Sequence, residues 1–366
     1  MSHVKETSVF EKLVSTRSLK GFAANFLRQT MAGQKLFLYN EWLPRVINIS
    51  FNEETCMFAC KMCPYAETEV RDMYRQGSEM SFETLKNIVA CIPNDSYYSF
   101  DISAIGETLL FKSLPEFVKY MKQQRPLVNS VISTNGLMLT EEIFRALVDS
   151  GLDNLQISLF AQNAKDHEMI TGAKSFDRIC ENIRRAWQIR QELKSDKPYI
   201  QTFMMESKES KYTLEAFLEH WSQYVDYAFV RPLYNLGREI DGMTPLHEKT
   251  KNENRYPCIQ PWYSTAIRSN GDVMPCYIYH WHKETKDEII GNINEQPLDV
   301  IWQSAAFRKF REAHRKLELD DYPVCQRCDL WDAYTNVWER NADGHFAYSR
   351  VKLTDFLMHA PSHRGG

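Results

Sequence analysis

From Val46 onward the chain alternates short apolar runs with stretches of helical period. Runs rich in Val, Ile, Phe and Tyr predict strands at Val46–Phe51, Tyr98–Ile102, Val128–Ser133, Asn154–Leu159, Tyr199–Met204 and Tyr227–Val230. Between them, apolar residues recurring every three or four positions predict helices at Phe82–Cys91, Leu114–Gln123, Glu141–Ser150, Phe176–Leu193 and Leu214–Tyr224. Ser81 and Thr140 stand where N-caps belong, although Thr84 and Ile143, three residues on, leave neither with a full capping box. Strand–helix alternation is the rhythm of a parallel sheet, so the fold class is α/β. Six such units predict a partial, open (β/α)6 barrel, with function at the C-terminal ends of its strands.

Outside this region the pattern changes. Residues 1–45 carry Phe10, Leu13, Leu19, Phe22, Phe26 and Leu27 at helical spacing, with Lys12, Arg17, Lys20 and Arg28 on other faces. A basic amphipathic segment can touch a membrane, but the expectation is a helix packed on the domain it precedes. After the barrel, 46–235, residues 236–257 are rich in Gly, Asn, Glu and Lys and read as a linker. In 258–330, Ser264–Arg268 and Asn270-Gly271-Asp272 predict a β-hairpin turning at Asn-Gly. Gly291-Asn292-Ile293 then reads as a short strand, followed by an amphipathic helix through Ile301-Trp302 and Phe307, Phe310 and Arg311. In the tail, 331–366, Trp331, Tyr334, Trp338 and Tyr348 predict packing against the body.

Composition narrows the class. With 366 residues, 43% hydrophobic and 13% aromatic, this is a globular chain of one large domain or two smaller ones. A net charge of −4 gives no basic footprint for nucleic acid. Neither a run of 18 apolar residues nor a signal-peptide core is found, so a cytoplasmic protein without stable membrane insertion is expected. Nine cysteines in such a chain read as metal ligands plus buried thiols, not a disulfide framework.

Candidate chemistry starts at Cys56-Met57-Phe58-Ala59-Cys60-Lys61-Met62-Cys63, directly after the first strand. Three thiols on one loop can converge on a single inorganic centre, and thiolates suit iron–sulfur clusters or zinc. Three local cysteines leave one iron of a four-iron cubane without a protein ligand and open to a small molecule. A three-cysteine zinc knuckle would need a histidine, and none lies nearby. The C-x3-C-x2-C spacing on a loop after the first strand resembles the signature of the radical S-adenosylmethionine (radical SAM) superfamily. Met62 stands where that family often carries an aromatic residue, and its bulk can still shield the cluster.

The resemblance extends along the barrel. Ala104-Ile105-Gly106-Glu107 is similar to the family's glycine–glutamate motif with one glycine fewer, which implies that Gly106 lets the backbone approach SAM and Glu107 meets its amino group. Ser133-Thr134-Asn135-Gly136 implies contacts from Ser133 and Asn135 to the methionyl carboxylate or ribose. Ser158 falls where the family contacts the sugar, although Leu159-Phe160 follows where many relatives are acidic. Arg231, at the end of the sixth strand, is a candidate catalytic residue for a carboxylate, a substrate hydroxyl or SAM. Its alternative is a surface salt bridge.

A second constellation joins Cys258 and Cys276, brought together by the hairpin, to Cys325 and Cys328. It resembles the twitch form of the SPASM extension of radical SAM enzymes, which implies an auxiliary [4Fe–4S] cluster. On spacing alone, four cysteines make an equally good structural zinc site. Cys91 and Cys180 lie within helical patterns and read as buried thiols.

What the family implies is a SAM-binding cluster and an auxiliary cluster, with flavodoxin or ferredoxin as one-electron donor. Reductive cleavage of SAM would give a 5′-deoxyadenosyl radical that takes a substrate hydrogen. Four cysteines leave no iron of the auxiliary cluster open, so an electron-accepting role fits, as in oxidation of a sugar or cyclitol alcohol to a ketone. Peptide modification is an alternative. Such relatives commonly carry an N-terminal leader-binding domain, and only 45 residues precede the first strand here. An epimerase would need a hydrogen-donor thiol, and a zinc-stabilised binding module is the non-enzyme alternative.

Overall fold

The computed structural model describes residues 38–349, apart from 54–55, 75–78, 104, 247–253 and 282–287. The helix expected before residue 38, Ala104 of the glycine–glutamate motif and the tail beyond residue 349 lie outside the described residues.

Six parallel strands form the first part of the sheet: β1 (Val46–Ile49), β2 (Ser99–Ile102), β3 (Asn129–Thr134), β4 (Asn154–Phe160), β5 (Tyr199–Glu206) and β6 (Tyr227–Pro232). Helices α1 (Thr68–Tyr74), α2 (Phe82–Cys91), α3 (Leu114–Gln124), α4 (Glu141–Asp149), α5 (Ala164–Thr171), α6 (Phe176–Glu192) and α7 (Leu214–Trp221) fall between them. Ser81 and Thr140 cap α2 and α4 by accepting from the Thr84 and Ile143 amides. The sequence pattern missed α1 and α5, which are short and carry weak apolar periodicity.

Alternation along the strands separates two faces. Ile47, Ile49, Phe100, Ile102, Ile132, Leu155 and Ile157 are fully buried and pack against Leu85 and Ile88 of α2, Val118 of α3, Phe144 of α4 and Ile183 of α6. The other face is polar and lines the barrel lumen. Asn154 donates to Asn129 (2.6 Å) and Asn129 to Ser99 (3.0 Å), while Gln156 donates to Ser133 (3.2 Å). Helix packing therefore stabilises one face and leaves the other available for a polar ligand.

The hairpin strands β7 (Ser264–Ile267) and β8 (Asp272–Met274), with β9 (Gly291–Asn292), do not form a separate sheet. They continue the barrel sheet in the order β6-β5-β4-β3-β2-β1-β7-β8-β9, with β7 parallel to β1. Asn48 donates to the Thr265 carbonyl at 2.9 Å, and Glu53 accepts from Arg268 (3.0 Å) and from the Ser269 amide (2.9 Å). Gly271 holds the turn at φ +92°. Beyond it come α8 (Gln260–Tyr263, preceding β7 in the chain), α9 (Leu298–Trp302), α10 (Ala305–Lys316) and α11 (Pro323–Arg327). In the tail, β10 (Trp338–Arg340) and β11 (Phe346–Tyr348) pair, and Trp338 and Phe346 pack with Leu38, Ile259 and Trp262.

Gly136, after β3, sits at φ +79°, and a Cβ there would lie 2.8 Å from Ile157 Cγ2 and 3.1 Å from Ile179 Cγ2. Strain and overpacking together should make Gly136→Ala destabilising by about 2–4 kcal/mol. A thermal midpoint equal to that of the parent would contradict this.

Candidate active site

The Cys56–Cys63 loop leaves β1 and is braced by α5. The Ala59 amide donates to the Thr171 carbonyl (3.0 Å) and the Lys61 amide to that of Ile170 (2.9 Å). From the linker, Arg238 donates to the Lys61 carbonyl at 2.8 Å and pairs with Glu67. Met62 packs on the side of Phe160 and Phe203, and Phe58 is buried against the His167 ring. Burial pushes the Cys56 thiol up to about 11 and the Cys60 thiol well above its ordinary value, with each neighbouring thiol adding to the rise. Three thiols that feel one another's charge in a desolvated loop hold their protons until a metal replaces them.

Beside this loop stand the ends of β2 and β3. Gly106 has φ +74°, which permits the turn into Glu107. Glu107 is 2% exposed and is already occupied. One carboxylate oxygen accepts from the Leu109 amide (3.1 Å) and the Thr134 hydroxyl, and the other from the Asn135 amide (2.9 Å). Glu107 is thus a brace between β2 and β3, with one acceptor position on its second oxygen left over for a ligand amine. Asn135 accepts from the Leu137 amide through Oδ1 (2.9 Å), which fixes its side chain beside Cys56. Its buried Nδ2 meets no acceptor at full hydrogen-bond geometry but faces the Cys56 thiol, whose rise it partly offsets. The amide is thus placed as a donor toward sulfur beside the first ligand.

The lumen holds the remaining candidates. Ser133 and Ser158 lie on its polar face by strand alternation, with Ser158 in register with Phe203. Arg231 is exposed to solvent yet densely surrounded, the signature of a side chain lining a deep concavity. Its guanidinium lies 4.2 Å from the Phe203 ring centroid and donates to Gln156 Oε1 at 3.4 Å. Asp101, on the same face of β2, accepts from Ser103 (2.8 Å). Burial raises its carboxyl above the ordinary range, and the charge of Arg231 partly offsets the rise. Tyr277 and Tyr334 lie within electrostatic range of Arg231 as well. No surface salt bridge of Arg231 is found among the described residues, and sequence reasoning missed Asp101, Tyr277 and Tyr334. A single acid inside a strand run carries no local signal.

The second thiol set also assembles. Cys258 precedes α8 and Cys276 follows β8, so the antiparallel return of the hairpin brings them together. Cys325 and Cys328 join them from α11, and all four line one cavity with Arg255, Tyr279 and His314. Burial pushes Cys258 up to about 12 and Cys276 and Cys325 well above the thiol range. The four cysteines share the lining of one cavity, as ligands of a common metal centre would. Cys91 and Cys180 stay apart: Cys91 faces the Leu298 amide of α9 at 3.5 Å, and Cys180 is buried in the main core.

Comparison with known proteins agrees with this geometry. The Radical SAM superfamily model matches residues 54–192, and the SPASM model, an iron-sulfur cluster-binding domain, matches residues 258–329. The chain belongs to the radical SAM superfamily and carries a C-terminal SPASM domain. One relative is the tungsten-containing aldehyde ferredoxin oxidoreductase cofactor-modifying protein of Pyrococcus furiosus, 24% identical over 63% of this chain and 73% of the relative. Another is the S-adenosyl-L-methionine-dependent 2-deoxy-scyllo-inosamine dehydrogenase of Niallia circulans, 22% identical over 78% of this chain and 92% of its own. The solved structure of BtrN in complex with AdoMet and 2-DOIA superposes with a TM-score of 0.50 at 20% identity, over 78% of this chain and 93% of that one. At such identity the likeness speaks for the fold.

The two matched domains imply a SAM-binding [4Fe–4S] cluster and auxiliary cluster ligation. The residues present fit both groups: two sets of desolvated thiols, and the Asn135 amide as a donor beside the first. Among the described residues no helix is long and apolar enough to cross a membrane.

Replacing Cys56, Cys60 and Cys63 together with Ala should halve the iron of anaerobically reconstituted protein and abolish SAM cleavage. Iron retained in full, or zinc at the second set, would contradict the assignment. Glu107→Gln places an amide against donors that now meet a carboxylate, so it should destabilise even the iron-free chain, by about 1–3 kcal/mol. Unchanged unfolding of that form would show the brace to be unimportant.

Proposed function

We propose that this enzyme oxidises a secondary alcohol of a small polar molecule, of sugar or cyclitol type, to a ketone, with the auxiliary cluster as acceptor of the second electron. The observation that carries this reading is the surrounding of Arg231. Within electrostatic range of its guanidinium stand Asp101 on the barrel wall and Tyr277, the residue after the auxiliary ligand Cys276. A substrate held there lies between a cation, a carboxylate and the wall of the second thiol set. The dehydrogenase name of the Niallia circulans relative supports the same reading.

When bound, SAM and its cluster supply the removal of one hydrogen atom from the carbinol carbon, giving 5′-deoxyadenosine and methionine. Cys56, Cys60 and Cys63 hold that cluster, and the Asn135 amide meets either a cluster sulfur or the SAM carboxylate. Gly106, Glu107, Ser133 and Ser158 shape the place for SAM, and Met62 keeps water from the cluster. Arg231 donates hydrogen bonds to a substrate oxygen and fixes which carbon faces the loop. Asp101 takes the hydroxyl proton, and Tyr277 forms the wall toward Cys258, Cys276, Cys325 and Cys328, which would hold the cluster that supplies an acceptor for the remaining electron. One hydrogen atom, one proton and one electron leave the alcohol, which balances its oxidation to a ketone. A flavodoxin or ferredoxin in the cytoplasm supplies the electron that cleaves SAM.

Anaerobic turnover with polyols and aminocyclitols carrying one deuterium, at the reacting carbinol carbon, should place deuterium in 5′-deoxyadenosine and yield a product two mass units lighter than the unlabelled alcohol. A product of unchanged mass would mean epimerisation, and turnover confined to peptides would overturn the small-molecule reading. Since Asp101 acts as the carboxylate and burial raises its pKa, activity should rise with pH through a midpoint above the usual carboxylate range. Asp101→Asn should remove that limb and lower ketone formation about 10²- to 10⁴-fold, while hydrogen abstraction persists. An unaltered pH profile would reject Asp101 as the proton acceptor.

A further inference from the structure

The wall of the auxiliary cavity contains more than its four cysteines. The Tyr279 hydroxyl lies 3.1 Å from Cys325 Sγ, within hydrogen-bond reach. Arg255 clamps the Cys325–Cys328 turn, donating to the carbonyls of Cys325 (2.6 Å) and Gln326 (2.9 Å), and so fixes a cation beside three of the thiols. His314, in the last turn of α10, is 1% exposed and lines the same cavity, its ring held edge-on to Phe310 at 4.8 Å. Both ring nitrogens of His314 are buried without a hydrogen-bond partner. A neutral imidazole has one N–H to donate, and leaving it unmade in a dry wall is costly unless a group absent from the polypeptide receives it. Inorganic sulfide or cysteinyl sulfur of a cluster is such an acceptor.

We propose that Tyr279, His314 and Arg255 tune the auxiliary cluster as an electron acceptor, Tyr279 and His314 by donating hydrogen bonds to its sulfurs and Arg255 by its charge. The inference rests on the reading of this cluster as the acceptor of the substrate's second electron. Reduction adds one negative charge to the cluster, and donors and a cation at its sulfurs stabilise the reduced state more than the oxidised one. The reduction potential rises accordingly. These three are positioning residues: they touch the cluster or its ligands, not the substrate. None belongs to a cysteine motif, and His314 stands 11 positions before Cys325 on a helix, so spacing gives no hint of it.

The test needs no substrate, so its failure is distinct from failure of the dehydrogenase reading. In the full chain carrying the Cys56, Cys60 and Cys63 to Ala changes, only the auxiliary cluster remains, and its potential is read by EPR-monitored redox titration. Tyr279→Phe and His314→Leu should each shift that potential negative, and His314→Gln, which keeps an N–H donor, should restore part of the shift. Pulsed EPR of the reduced cluster with ¹⁵N-histidine should show a weak nitrogen coupling that disappears in His314→Leu. If His314→Leu loses its iron, Tyr279→Phe, which removes a single oxygen atom, and His314→Gln carry the test. An unshifted potential in Tyr279→Phe together with no histidine coupling would overturn the proposal. A coupling of the size of a directly bound nitrogen would overturn it too, by making His314 a ligand. A negative shift without ketone formation from any alcohol would leave the tuning intact and reject the dehydrogenase reading instead.

Discussion

Strand β1 carries hydrogen bonds on both edges, to β2 on one side and β7 on the other, and both thiol sets depend on that arrangement. The first cysteine loop leaves its C-terminal end. The strand beside it begins the hairpin that gathers Cys258 and Cys276. Because the sheet is continuous, the position of the second set relative to the barrel is fixed by backbone hydrogen bonds and not by a flexible joint. Ion pairing reinforces the seam: Glu53, 1% exposed, meets the Arg268 guanidinium and the Ser269 amide just past β7. Removing either partner would leave a buried charge unpaired, which is far costlier than the pair is worth on balance.

Desolvation is the second common thread. The thiols for which a shift is resolved in the two sets are all raised, burial first. In the iron-free chain these side chains are protonated and weakly hydrogen-bonded, and they are poor nucleophiles. Ligation by iron exchanges protons for metal, so cluster assembly releases protons and adds its binding energy to folding. Cys91 and Cys180 share the raised thiol but have no companions, which separates inert burial from a ligand set.

Much of this was legible in the sequence. The βα rhythm, the caps Ser81 and Thr140 and the hairpin turn at Gly271 each follow from local chemistry, and local chemistry is what a sequence displays. Cysteine spacing singled out seven thiols, of which Cys258, Cys276, Cys325 and Cys328 line one cavity and Cys56, Cys60 and Cys63 share one loop. The pairing of β7 with β1 was not legible, since partners some 217 positions apart leave no periodic trace. Nor were Asp101 and His314: one is an acid in a four-residue strand and the other is one of many polar residues on a charged amphipathic helix, and neither is marked by spacing. Helix α5 shows the same limit: its weak apolar stripe hides a helix whose last turn anchors the cysteine loop. Glu107 is the instructive case. Its motif was readable, but only the structure reveals that its carboxylate ties β2 to β3 through three donors before any ligand arrives.

The two thiol sets sit in walls of different electrical character. Around the first, the Glu107 carboxylate acts on Cys56 besides its companion thiol, and the neutral amide of Asn135 is the added donor. Around the second, a carboxylate, Glu288, acts on Cys325, but the guanidinium of Arg255 acts on Cys258 and the Tyr279 hydroxyl reaches Cys325. A negative neighbour disfavours adding an electron to a cluster, whereas a cation and hydrogen-bond donors favour it. A centre that must reduce a sulfonium needs a low potential, and one that must take an electron from a substrate radical needs a higher one. The asymmetry of the walls runs in the direction that ordering requires. Between them lies the polar face of the barrel, with Arg231 and Asp101 facing inward. The same strand alternation that stabilises the helix-covered face therefore also supplies the polar residues against which a substrate would be held.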